Sequence, residues 1–176
     1  STVYARGVFF SIGGQNRNGL AALDGSTGLA TPWDPGIAEG DGVVSLIVPS
    51  ESAIYLFGSF SRIGGQDRNH FAAVDPVTGS VTDWNPVYDS DVSGVAVNGQ
   101  TVYLVGRFTT MGGESRAGIA AVDATTAAVL PWQPGGSNGY VSKIYHRGSS
   151  LFVTGEFSAI GGQARTPMVD LRHIAI

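Results

Sequence analysis

The sequence predicts an all-β chain made of four copies of one antiparallel unit, and three observations carry that prediction. The first is a recurring phrase, GVFFSIGGQNR at 7–17, GSFSRIGGQDR at 58–68, GRFTTMGGESR at 106–116 and GEFSAIGGQAR at 155–165. Its Gly-Gly pairs begin at 13, 64, 112 and 161, so the steps are 51, 48 and 49 residues, the period of a supersecondary unit laid down in series. The second is the succession of short β-branched and apolar runs separated by turn residues, with no helical period in any copy. The third is composition: 26 glycines in 176 residues, spread through the copies, far exceed the average usage of about 7%.

The third copy shows the elements in order. Residues 92–97, 101–106, 118–123 and 127–132 read as four strands. The first pair is joined by a tight turn at Asn98-Gly99, two residues that tolerate positive φ, and residues 147–150 fill the same place in the fourth copy. The third and fourth strands are joined by stretches that open on Asp24, Asp75 and Asp123 and close on Gly28, Gly79 and Ala127. There the Asp can bond back to turn amides and the Gly can take the left-handed conformation. Each copy is thus a four-stranded meander.

Along the second strand, one face carries Ile54, Leu56, Gly58 and Phe60, and the other begins with Tyr4, Tyr55, Tyr103 or Phe152. A strand apolar on both faces must be covered on both. The third strand carries paired alanines, Ala21-Ala22, Ala72-Ala73 and Ala120-Ala121, which let a neighbouring sheet come close. Sheets of this length stacked face to face around an axis describe a β-propeller of four-stranded antiparallel blades, about 3.5 to 4 blades in this chain. The repeat units run 1–33, 43–84, 92–132 and 140–176 of a single domain or part-propeller.

The pattern V-Y-x-x-G-x-F-x-x-I-G-G-x-x-R-x-x-L-A-A-x-D-x-x-T-G-x-x-x-x-W-x-P resembles the delta-sixty repeat, a propeller repeat of bacterial secreted and surface proteins. The resemblance covers nearly the whole chain and implies an extracellular or cell-surface location. The stretch from Asp24 to Trp33 is also similar to the tryptophan-docking motif of quinoprotein propellers, with Trp one residue later than in that motif.

Both ends depart from the pattern. The chain opens in the second strand of its first copy, without an equivalent of residues 43–48 or 92–97. After Arg165, Arg172 stands in the register of Asp24, Asp75 and Asp123, and no Trp follows. Three arrangements complete the sheets: closure of four blades within one chain, a ring of seven or eight blades shared between two chains, or membership of a longer protein. The shared ring, a homo-oligomer, is the favoured expectation because both ends are partial.

Repeat positions and varied positions are read differently, since a residue required in every copy suits a shared packing role. Arg17, Arg68, Arg116 and Arg165 are expected to hold loop carbonyls or a carboxylate, with Asp24, Asp75 and Asp123 or a neighbouring blade as partners. The sharper alternative is a ring of anion sites. Trp33, Trp84 and Trp132, each followed at two residues by Pro, are expected to dock between blades, the alternative being a sugar-stacking surface. The Gly-Gly pairs supply positive φ or close approach. A phosphate cradle is the alternative, which no following helix supports.

The loops entering the innermost strands vary, and their residues Glu39, Asp41, Tyr88, Asp89, Asp91, Ser137, Asn138 and Tyr140 are the candidate ligand contacts. The meander brings these loops to the rim that carries the Gly-Gly turns. Their oxygens suit a sugar, or calcium at Asp41, Asp89 and Asp91; no other cofactor is expected.

Function classes narrow accordingly. The net charge is −4, and nine Arg with the single Lys143 form no basic stripe, which argues against nucleic acid. No apolar run reaches the length of a membrane span. Without Cys there is neither a disulfide framework nor a Cys-based metal site. His70, His146 and His173 fall at unrelated repeat positions, and His70, in the place of Gly19 and Gly118, reads as a solvated edge residue. The expectation is a non-catalytic module that binds carbohydrate or protein through its rim or serves in assembly; the alternative is a small polysaccharide hydrolase or lyase using the same rim.

Overall fold

The computed structural model describes residues 1–38, 40–164 and the backbone of 168–170; Glu39, Arg165, Arg172 and His173 lie outside the described residues. The described residues form short antiparallel sheets and turns without a helix. They fall into two compact units, Ser1–Asn85 and Pro86–Ile176, each holding two copies.

In the first unit, the first copy contributes β1 (Thr2–Arg6), β2 (Ser11–Ile12), β3 (Gln15–Asn16) and β4 (Leu20–Asp24). The second contributes β5 (Val44–Pro49), β6 (Ile54–Gly58), β7 (Arg62–Ile63), β8 (Gln66–Asp67) and β9 (Phe71–Val74). The main sheets are β1-β4 and β5-β6-β9, with β2-β3 and β7-β8 as separate small hairpins. The buried core gathers Trp33, Ile54, Leu56, Phe60, Ile63 and Val74. Trp33 meets the edge of Tyr4 at 5.2 Å between ring centres, and Trp84 meets Tyr55 at 5.0 Å and Phe71 at 4.8 Å.

The second unit repeats the scheme. Its third copy holds β10 (Val92–Asn98), β11 (Thr101–Gly106), β12 (Thr110–Met111), β13 (Glu114–Ser115) and β14 (Ile119–Asp123). Its fourth holds β15 (Tyr140–Arg147), β16 (Ser150–Glu156), β17 (Ala159–Ile160), β18 (Gln163–Ala164) and β19 (Met168–Asp170). The sheets are β10-β11-β14 and β15-β16-β19, again with hairpins β12-β13 and β17-β18. Val105, Ile119, Val141, Ile144, Val153 and Ile160 form its core, with Trp132 packed against it.

The structure corrects the expected meander in three places. The fourth strand is reduced to one bridged pair in each of the first three copies, Leu23 with Ala30, Val74 with Val81 and Val122 with Val129. Pro32 and Pro131 follow soon after and have no N–H to extend a ladder. The carbonyls of Thr31, Thr82 and Leu130 accept from arginine side chains. Secondly, the Gly-Gly loop is itself a hairpin: Ile12 pairs with Gln15, leaving Gly13 and Gly14 at φ 57° and 78°, the two-residue turn with both φ positive. Thirdly, Asn98 pairs with Thr101, so the tight turn is Gly99-Gln100, with Gly99 alone at positive φ; Gly148-Ser149 repeats it.

A further regularity was not read from the sequence. The first strands of the second, third and fourth copies, β5, β10 and β15, each slip register at a Val-Ser pair, between Val44 and Leu46, Val92 and Gly94, and Val141 and Lys143. Such a bulge bends the strand and raises its twist. Ser142 Oγ donates to Thr154 O at 3.0 Å, and Ser93 Oγ lies 3.1 Å from Val105 O and 2.7 Å from Val141 O of the adjacent sheet. The glycine opposite each bulge is obligatory: a Cβ at Gly58, Gly106 or Gly155 would strike the carbonyl of Val43, Asp91 or Tyr140.

Candidate functional site

The recurring arginines are built into the scaffold. Arg17, Arg68 and Arg116 each donate through Nη1 to the preceding carbonyl, Asn16, Asp67 or Ser115, at 2.8–2.9 Å. Through Nη2 each reaches the carbonyl at the end of its fourth segment, Thr31, Thr82 or Leu130, at 2.8–3.1 Å. Each therefore clamps its small hairpin to the last segment of the copy. Asp24, Asp75 and Asp123 are not their partners: each Oδ1 accepts the two amides two and three residues on and the hydroxyl of Thr27, Thr78 or Thr126. The acidic partners are others, Asp34 at 3.5 Å from Arg17 and Glu114 at 2.8 Å from Arg116.

Trp33 and Trp84 are buried, and Trp33 Nε1 donates to Asp75 O of the next copy at 3.0 Å, so Trp33 pins one copy to its successor. A sugar has no access to a ring so placed. The Gly-Gly tips meet the loops after the Trp-x-Pro turns: Gly64 N donates to Gly36 O, Gly112 N to Val87 O and Gly161 N to Gly136 O. The amides of Gly64, Gly112 and Gly161 are thus spent within the chain, which removes them from any anion cradle.

His70 is not a solvated edge residue. It is half-buried at φ 64°, and its Nδ1 is buried without a hydrogen-bond partner. The position demands a left-handed residue, which Gly19 and Gly118 supply at φ 68° and 73°.

The varied loops divide into staples and walls. Asp89 Oδ1 accepts the amides of Thr109 and Thr110, and Oδ2 accepts the Thr109 hydroxyl. The Thr109 hydroxyl, followed by the Thr110 amide, holds the Asp89 carboxyl down to about 2. Asn138 does the same one copy later: Oδ1 accepts Ser158 N and Ala159 N, and Nδ2 donates to Ser158 Oγ. At the equivalent Asp41 the backbone carbonyl accepts Ser61 N. Tyr88 is half-buried and bridges Met111 by its backbone. Burial, then the charge of Asp91, pushes its phenol up to about 12. Among the described residues no group of three or more His, Asp or Glu side chains converges on a point where a metal would sit.

Two grooves occupy equivalent places in the first and third copies. One, of about 210 Å³, lies against Gly7, Val8, Phe9, Phe10, Asn18, Gly19, Ile37, Gly40, Gly42, Val43 and Val44. The other, of about 250 Å³, lies against Gly106, Arg107, Phe108, Thr109, Ala117, Gly118, Ser137, Gly139 and Tyr140. In both, the walls are the end of the second strand, the glycine before the third strand and the loop entering the next copy. Among the described residues the first is lined by apolar side chains, by backbone and by Asn18, whose Nδ2 donates to Ile37 O. The other carries a guanidinium, two hydroxyls and a phenol, with Arg107 over the Tyr140 ring at 4.6 Å, a cation–π contact.

Of the varied-loop residues, Ser137 and Tyr140 line the groove of the third copy. Arg107 and Thr109 were missed. Their signal lies inside the repeated phrase, at the unspecified positions of Gly-x-Phe-x, which read Val8 and Phe10, Ser59 and Ser61, Arg107 and Thr109, Glu156 and Ser158. No protein-family model matches the chain, and no curated protein matches it.

Proposed function

We propose that the chain is a non-catalytic β-propeller module of the delta-sixty kind, extracellular or surface-associated, whose loop rim binds carbohydrate or protein. The observation that carries this reading is the pair of grooves with the same backbone walls and different side chains. A scaffold that holds its frame constant and varies only the lining is suited to recognition. The groove of the third copy holds groups that a sugar can use: the Arg107 guanidinium, the Tyr140 phenol, and the hydroxyls of Thr109 and Ser137 as acceptors, since their protons are given to Asp89 Oδ2 and Gly139 O.

Of the two described histidines, His70 Nδ1 and His146 Nε2 are buried without hydrogen-bond partners. The propeller reading draws on the three-stranded sheets, the stacking of β15 on β10 through Ser93 and the Trp33 link to the next copy. Completion of the ring by a second chain, as a homo-oligomer, belongs to the same proposal. A glycan array coupled to a turnover screen tests the functional reading. Saturable binding without product is expected; product formation from a bound polysaccharide would overturn it in favour of a hydrolase or lyase.

A further inference from the structure

We infer that Asn98 is a site of spontaneous modification, converted in the folded chain to aspartate and isoaspartate, and that the same fold withholds this chemistry from Asn18 and Asn138. Asparagine precedes glycine three times, at Asn18-Gly19, Asn98-Gly99 and Asn138-Gly139, and the fold gives each pair a different setting. A following glycine favours the reaction because it has no Cβ to keep its nitrogen from the asparagine side chain.

The reaction needs no partner but water. The Gly99 nitrogen attacks Asn98 Cγ and loses its proton to solvent; the Cγ–Nδ2 bond breaks, and Nδ2 takes up a proton and leaves as ammonia, closing a succinimide ring. Water then opens the ring on either side. Cleavage at Cγ gives aspartate, and cleavage at the main-chain carbonyl carbon gives isoaspartate, in which the chain runs on through Cβ. Closure requires a free attacking amide and a side chain able to swing onto it.

The third-copy turn supplies both. Asn98 is exposed, its side chain bonds to no described residue, and Gly99 N donates to none. The turn is also uncrowded, since even a Cβ at Gly99 would meet nothing within 4 Å. Asn18 lacks both conditions: it is half-buried, its Nδ2 donates to Ile37 O at 3.0 Å, and the Gly19 amide donates to Phe9 O at 2.9 Å. Asn138 is exposed but fastened. Its Oδ1 accepts Ser158 N and Ala159 N at 3.1 and 2.8 Å, and its Nδ2, the leaving group, donates to Ser158 Oγ at 3.0 Å.

The two products differ in what they do to the hairpin. Asn98 pairs with Thr101 at the tip of β10-β11, and the neighbouring Gln100 O accepts Ala124 N at 2.9 Å. Aspartate keeps that backbone and adds a negative charge. Isoaspartate inserts a carbon into the main chain at the ladder pair and so displaces the Gln100 anchor. Gly106, which lines the groove, pairs with Val92 at the other end of the same two strands.

The test incubates the whole chain in warm, mildly alkaline buffer, with samples mapped by peptide mass spectrometry and electron-transfer fragmentation to separate isoaspartate from aspartate. In the folded chain Asn98 should convert roughly tenfold or more faster than Asn18 or Asn138, which must first give up their hydrogen bonds. A parallel incubation in concentrated urea should bring the three rates close together, because the protection comes from the fold. Conversion of Asn18 or Asn138 as fast as that of Asn98 in the folded chain would overturn the inference. So would an Asn98 that converts only once urea has unfolded the chain, or the same order of rates persisting in urea, which places the preference in local sequence.

Discussion

Gly64 and Gly65 place the same demand on the backbone, φ 56° and 73°, but have different neighbours. A Cβ on Gly64 would lie 2.6 Å from Val81 Cγ2, while one on Gly65 meets nothing within 4 Å. Gly64→Ala therefore adds a clash to the left-handed strain and should cost about 2–3 kcal/mol. Gly65→Asn should cost less than about 1 kcal/mol, because Asn tolerates that region. Urea unfolding midpoints of the two variants check the ordering. Ala127 gives the converse case, at φ 62° where Gly28 and Gly79 stand in the first two copies. Ala127→Gly should raise stability by about 0.5–1 kcal/mol, read in the same denaturation experiment. Arg116, 6% exposed, is the most buried of the clamps, and Arg116→Ala should cost about 2–3 kcal/mol, since the Leu130 and Ser115 carbonyls lose their donor.

At the scale of elements, the entry loops are fastened by a side-chain oxygen laid across two amides, and the sister loops predict what substitutions do. Asp89 and Asn138 make the same contacts with different charge. The Asp89 carboxyl is lowered in the folded chain to about 2 from its ordinary 3.8, so its contribution is fully present above pH 3.8 and is lost as pH falls toward 2. Asp24, Asp75 and Asp123 are lowered by their turn amides and act in the same direction. Stability should therefore fall through that acid window. Asp89→Asn should leave melting at pH 7 nearly unchanged while flattening part of the acid loss, measured by thermal scans between pH 2 and 7.

The same elements show what the sequence made legible. The Gly-Gly turns and arginine clamps could be read because every copy repeats them, and repetition marks a backbone requirement. The fourth strand was misread because its apolar run looks extended, although its Trp is spent in the core and its carbonyls on arginine. Asp89 resembled a ligand because an acceptor for buried amides and an acceptor for a cation are the same residue type. Arg107 and Thr109 were hidden inside a strand-like phrase, where nothing local distinguishes a groove wall from a solvated position.

At the scale of the whole molecule, one scaffold is repeated four times, and the grooves of its first and third copies are lined differently. If a second chain completes the ring, native mass measurement should give a dimer near twice 18.2 kDa; a monomer at every concentration would remove that part of the proposal. Binding is assigned to the groove of the third copy, where Arg107 and Tyr140 form a surface that the groove of the first copy lacks. It is tested most directly by calorimetric titration of the strongest array ligand into the unsubstituted chain and into Arg107→Ala. Arg107 is exposed and, among the described residues, its side chain packs on the Tyr140 ring, so the variant should keep its melting temperature and lose roughly tenfold or more in affinity. Unchanged affinity in the folded variant would contradict the assignment of this groove as the binding site.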